Sequence, residues 1–202
     1  MTKTVTGLFD DYSDATAAVE QLKGAGISDS DISIVSNNAD GRHKSGNNDV
    51  AEDAGAGAGI GAAVGGVGGL LTGLGIMAIP GVGPVVAAGW LAATAAGAVA
   101  GAVVGGAAGG IIGALTDSGV DERDAHVYAE GVRRGGTLVT AKVEESRAAE
   151  AEAILQRSNW VNLPARRTAY EGQGWTSFDD NSKPYSQAEI DADRARYTDR
   201  AL

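Results

Sequence analysis

The sequence predicts an α+β fold: a ferredoxin-like split βαβ domain interrupted by a long glycine-zipper α-helical hairpin. Three observations predict it. A strand–helix–strand pattern lies before residue 37, and a second lies after residue 117. Between them, residues 54–116 contain no Asp, Glu, Lys, Arg or His. Inside that block glycine recurs every fourth residue in two ladders: Gly57, Gly61, Gly65, Gly69, Gly73 and Gly97, Gly101, Gly105, Gly109, Gly113. The implied organisation is a first βαβ half (1–36), a polar loop (37–53), the hairpin (54–116), a helix with the second βαβ half (117–163) and a polar tail (164–202).

Residues 4–9 (TVTGLF) read as a strand. Ser13 is the favoured N-cap of the following helix. Ala15, Ala18, Val19 and Leu22 recur at helical spacing and form its apolar face. Gly24 and Gly26 end it, because glycine accepts a left-handed conformation near a C-cap. Residues 31–35 (DISIV) are the second strand. Residues 37–49 are loop chemistry throughout. His43 lies there between Arg42 and Lys44, a poor setting for a metal ligand.

Beyond the block, residues 121–134 read as a helix with acids early and Arg133 and Arg134 late, which suits the helix dipole. Its acids Asp121, Glu122, Asp124 and Glu130 are expected on a solvated face. Gly135 and Gly136 stop it, and residues 137–143 (TLVTAKV) form a strand. Residues 145–157 are a helix with Ala149, Ala153 and Ile154 on one side, and residues 160–163 a short closing strand before Pro164. Two such units combine into a four-stranded antiparallel sheet with two helices on one face. In the polar tail, Ser186 and Glu189 form a capping box that opens a short charged helix to about Arg200. A neighbouring copy gripping Trp175, Phe178, Tyr185 or Tyr197 is one way to order such a tail.

The block is the distinctive part. About ten glycines in each half forgo about 1 kcal/mol each relative to alanine, so an isolated helix would not form. Close backbone packing of the small-xxx-small kind offsets such a loss. Ile60, Val64, Val67, Leu71 and Leu74 fall within about 80° of arc opposite the first ladder. Val85, Val86, Val99, Val103, Val104 and Ile111 sit largely away from the second. Residues 79–84 (IPGVGP) are the expected turn between two helices. Each helix would present a glycine face and a bulky apolar face, and a contiguous apolar surface of that size calls for lipid or protein cover. Residues 57–79 would span about 35 Å as a helix, against a bilayer core of about 30 Å. However, Glu52, Asp53 and Asp117 border the block, basic anchors are distant and Trp90 is its one aromatic, so membrane insertion is the weaker of two open readings.

Composition narrows the function. The net charge of −10 disfavours nucleic acid, whose phosphates need clustered Lys and Arg. With no cysteine, disulfides and thiolate chemistry are excluded. The first residues reach Asp10 and Asp11 without an apolar core, so a cytosolic chain is expected. No P-loop lysine, nucleophile elbow or paired-histidine motif is present. His43 and His126 each lack a second histidine at ligand spacing. No enzyme activity, cofactor, metal or small-molecule substrate is expected.

Residues 7–15 (GLFDDYSDA), 19–27 (VEQLKGAGI) and 31–35 resemble the N-terminal half of the heat-induced, YflT-type bacterial general stress proteins. The block with its IPGVGP turn is similar to glycine-zipper insertions in some relatives, and residues 128–140 (YAEGVRRGGTLVT) resemble the strand-leading segment after it. The resemblance spans about residues 4–163. It implies a stress-linked protein with no assigned catalytic residues.

The expectation is therefore a non-enzymatic general-stress structural protein in the cytoplasm. Its partner is itself, in a homo-oligomer or filament joined through the two ladders together with Ile60, Val64, Val67, Leu71, Leu74, Val99 and Val103. The alternative is a hairpin that anchors the protein to the inner face of the cytoplasmic membrane.

Overall fold

The computed structural model describes residues 1–41, 75–94 and 110–198. Five strands form one antiparallel sheet: β1 (Thr2–Phe9), β2 (Ile32–Asn37), β3 (Gly75–Ile79), β4 (Gly83–Gly89) and β5 (Thr137–Glu144), in the order β1-β5-β2-β4-β3. Helix α1 (Tyr12–Gly24) carries the chain from β1 to β2, and β5 threads between those two strands, antiparallel to both. Other helices among the described residues are α2 (Ile111–Asp117), α3 (Glu122–Arg133), α4 (Ala148–Arg157), α5 (Leu163–Glu171) and α6 (Gln187–Thr198), and residues 90–94 are helical as well.

Strand register sorts the core into two layers. Val5, Ala141 and Ile32 share one row, and Leu8, Leu138 and Val35 share a row on the other face. Helices α1 and α4 cover the first face through Ala15, Ala18, Val19, Leu22, Ala151 and Leu155. Helices α2 and α3 cover the second through Ile111, Leu115, Ala125, Ala129 and Val132. With both faces covered, β2 is buried along its whole length, and its polar side chains are hydrogen-bonded: Ser33 to Ala88 C=O, Ser36 to Thr137 and Asn37 to Val132 C=O.

The expected elements hold where the signal is local. The apolar face of α1 is the predicted quartet, Gly26 ends it at φ +84°, and α3 and β5 lie where expected. Several details differ. The N-cap of α1 is Asp11, not Ser13. Helix α4 buries Ala148, Ala151, Ile154 and Leu155, with Ala149 exposed and Ala153 half-buried. The closing strand at 160–163 is not formed. Val161 N–H donates to Leu8 C=O at 2.7 Å, and the chain then turns away. Asn162 caps α5 by accepting from Ala165 N–H, and Pro164 sits in the first turn, where a missing N–H costs nothing. The sheet is thus not the expected four-stranded one.

Its extra strands come from the charge-free block. Residues 75–79 and 83–89 are a β-hairpin, not the ends of two helices. Pro80 and Gly81 supply a turn in which Val82 N–H donates to Ile79 C=O. Gly81 has φ +73°, as the third residue of a type II turn requires. β-branched Ile76, Ile79, Val82, Val85 and Val86 suit a pleated surface, and β4 satisfies the otherwise open edge of β2. A helix over 57–79 is therefore excluded in its last turn, and Val85 and Val86 belong to a strand.

Candidate functional site

Of the residues expected to mediate self-association, Gly113 alone falls among the described ones, half-buried in α2. Gly57, Gly61, Gly65, Gly69, Gly73, Ile60, Val64, Val67, Leu71 and Leu74 lie outside the described residues. So do Gly97, Gly101, Gly105, Gly109, Val99 and Val103. What is described is how both ladders attach. The first ladder's last member, Gly73, is two residues before Gly75, which pairs with Ala87 in β4. Residues 90–94 follow β4 as helix, and the last member of the second ladder, Gly113, lies in α2, whose N-cap Gly110 sits beside the Ile79 side chain.

Among the described residues strand β3 is the outer edge of the sheet. Asn38 N–H donates to Pro84 C=O, so Pro84 turns its polar backbone groups towards β2. By alternation Val85 and Ala87 turn theirs towards β3. Their partners Met77 and Gly75 therefore face inward, leaving the N–H and C=O of Ile76 and Ala78 on the open side. Ile76 is 43 % exposed, Gly75 and Ala78 are exposed, and Met77 is half-buried against the α2–α3 layer.

The C-terminal tail folds back over this hairpin. A Cβ on Gly81 would lie 2.7 Å from the Asp180 backbone, and one on Gly83 would lie 2.8 Å from Pro184. The IPGVGP turn is thus shaped to accept the tail as well as to reverse the chain. Phe178 packs against the α2–α3 layer and its N–H donates to His126 Nδ1 at 3.2 Å. Trp175 meets Tyr170 edge to face at 5.7 Å. Three of the aromatics that a neighbouring copy was expected to grip therefore find partners within the chain: Trp175, Phe178 and Tyr185.

A buried charge cluster fastens the tail. Glu130, fully buried rather than on a solvated face, accepts from Arg134 Nε at 2.7 Å and Arg133 Nη1 at 3.2 Å. Arg134 Nη1 also donates to Gln173 at 2.6 Å and to Asp193 of α6 at 3.3 Å. Its guanidinium stacks over Tyr170 at 4.1 Å. Burial disfavours that charge, but the Glu130 hydrogen bond and the two carboxylates more than offset it and hold Arg134 above its ordinary pKa. Arg133 lies over Tyr185 and donates to Lys183 C=O. Arg166 bridges α5 to Asp10, Arg167 pairs with Asp124, and Arg194 donates to the carbonyls of Asp10 and Gly135. The expected capping box forms, with Ser186 Oγ and N–H both donating to Glu189.

A cavity of about 380 Å³ opens beneath the strap, lined by Ile79, Val82, Ile111, His126, Phe178 and neighbours. Its floor is apolar. Among its rim acids, Asp179 is engaged by Asn181 N–H and Ser182 Oγ, which hold its carboxyl below the ordinary range. Among the described residues no group of three His, Cys, Asp or Glu could hold a metal, and no helix is long and apolar enough to cross a membrane. The sheet carries an unusual polar row as well. The hydroxyls of Thr6 and Thr140, paired across β1 and β5, are buried without a hydrogen-bond partner among the described residues.

The geometry thus defines a mixed α/β protein with an antiparallel sheet, an uncharged edge hairpin and a C-terminal strap. Residues 4–80 match the family model described as heat induced stress protein YflT domain. The match runs from β1 through the end of β3 and supports a general stress-response protein of YflT type. The wider resemblance expected up to residue 163 lies outside the matched range. Comparisons with curated proteins and with solved structures give no match.

Proposed function

We propose that this is a non-catalytic stress-response protein that self-associates through its charge-free block, displayed by a folded α/β domain. The observation that carries the reading is the pairing of an uncharged, glycine-laddered segment at 54–116 with a hairpin that joins that segment to the sheet. A segment of this composition favours close backbone packing against its own kind. The acidic remainder of the chain keeps an assembly in solution. The strap supports the reading too: it closes the aromatic tail onto its own domain, and among the described residues the hairpin edge keeps Ile76 exposed.

The test is the oligomeric state of the full chain in detergent-free buffer, by size-exclusion chromatography with light scattering. The expected result is a species larger than a monomer that Gly65→Leu and Gly105→Leu dissociate. A monodisperse monomer refutes the proposal. Recovery of the protein only with membranes, resistant to carbonate extraction, would replace it with a membrane anchor.

A further inference from the structure

We infer that the outer edge of β3 is a pairing site for the same strand of a second copy, so that two five-stranded sheets join across a two-fold axis at Met77. The inference rests on the self-association reading above but names a different contact.

The edge has the chemistry of a pairing strand. Ile76 and Ala78 turn their N–H and C=O outward, as the Pro84–Asn38 bond and the β3–β4 register require. Among the described residues the strand carries no charge, proline or bulge, three of the usual protections of an exposed edge. The opposite edge, β1, differs. It carries Lys3, and Val161 N–H occupies Leu8 C=O.

The occupant follows from self-complementarity. Antiparallel pairing of β3 with its copy sets Met77 opposite Met77 of the second copy. Ile76 then lies opposite the second copy's Ala78, a large side chain over a small one, twice. Each of those pairs exchanges two hydrogen bonds, giving four in all. β3 and β4 hold no charged residue, so two chains of net charge −10 meet there without opposing carboxylates within the strands. The side chains of Ile76 and Ala78 lie on the sheet face shared with α1, in register with Val86 and exposed Pro84. A second sheet would continue that face.

Two variants separate this contact from the glycine ladders. Ala78→Pro removes an outward N–H while leaving the β3–β4 bonds intact, because Ala78 does not donate to β4. It should weaken the dimer about tenfold or more, since two hydrogen bonds are lost per dimer. Ile76→Lys places like charges at the edge and should act the same way, which covers the case in which the proline variant fails to fold. The chain has no cysteine, so Met77→Cys supplies the only thiol. Mild oxidation should cross-link it to a covalent dimer, because a non-hydrogen-bonded pair brings Cα atoms to about 4.5 Å. Ile76→Cys should not cross-link, since its own copy lies beyond the reach of about 7 Å for a disulfide. Failure of Met77→Cys to cross-link in preference to Ile76→Cys overturns the inference. So does an unchanged oligomer for both edge variants while Gly65→Leu dissociates it, and that result leaves the ladder reading standing. Dissociation by the edge variants alone supports the edge and sinks the ladder contact. A monomeric wild type sinks both.

Discussion

Replacing Arg134 with methionine removes the guanidinium that joins α3 to the tail but keeps most of the aliphatic stem. Glu130, fully buried, would retain Arg133 at 3.2 Å. Asp193, 4 % exposed, would retain only Arg196 at 3.6 Å, whose side chain is 61 % exposed. Stripping one partner from a buried ion pair costs about 3–5 kcal/mol. The surviving Arg133 contact places this variant near the low end, at about 3 kcal/mol. The loss falls on tail docking, because Gln173, Asp193 and the Tyr170 ring are all tail groups. Hydrogen exchange resolves the two. Amides of α6 should lose about 100-fold in protection, the equivalent of about 3 kcal/mol, while those of β5 and β2 change little. Trp175, seated against Tyr170, should move to longer-wavelength emission as it meets water. A folded variant whose α6 amides exchange within twofold of the wild-type rate would refute the view that this cluster holds the strap. A double-mutant cycle with Asp193→Asn sharpens the test. Additive effects would show that the two groups do not interact, since contacting partners couple by about 0.5–3 kcal/mol.

Three further outcomes are expected. Gly131→Ala should destabilise the fold by up to about 2 kcal/mol in chemical denaturation: the added methyl collides with Leu8, whose Cδ1 would lie at 2.9 Å, and overpacking of about 1–3 kcal/mol is set against a helix-propensity gain of about 1 kcal/mol. A stabilised variant would mean that Leu8 has room to move. Thr140→Val should leave stability unchanged or raise it by up to about 1 kcal/mol, because it deletes a buried hydroxyl without a partner among the described residues; a large loss would reveal a bound water or a partner at Thr6. Glu189 should titrate below the ordinary glutamate range, because the Ser186 hydroxyl and N–H stabilise its charged form. Its contribution is present above the ordinary value and is lost as pH falls through the folded-state pKa. Carboxyl NMR titration should show that lowered midpoint and its return towards normal in Ser186→Ala, and an ordinary midpoint in the wild type would contradict the capping box.

Much of the domain was legible in the sequence because its signals are local. The quartet Ala15, Ala18, Val19 and Leu22 marks a buried helix face by spacing alone. Gly26, the Gly135–Gly136 pair and the Ser186–Glu189 box mark element ends through backbone geometry and short-range hydrogen bonds. Helix α5 is not legible although Asn162 before Pro164 is a cap signal: the Trp-Val-Asn-Leu run also reads as a strand, and only the turn of the chain away from β1 after the Val161–Leu8 bond decides between them. The self-association residues were chosen from a periodicity that lies mostly outside the described segments. The edge strand beside them carries no periodicity of its own.

By itself, then, the sequence determined an α/β domain around a charge-free insertion, together with the faces of α1 and the limits of α3 and β5. Tertiary structure decided that residues 75–89 are a hairpin, because β2 had an edge to satisfy and β-branched residues to pair with it. It also decided that Glu130 is buried. An acid on a helix reads as solvated until a second segment closes over it: Glu130 pairs with Arg133 and Arg134, three and four residues on, and the tail's Gln173 and Asp193 hold Arg134 from 39 and 59 residues away. Such contacts depend on which surfaces meet, and spacing along the chain carries no record of that.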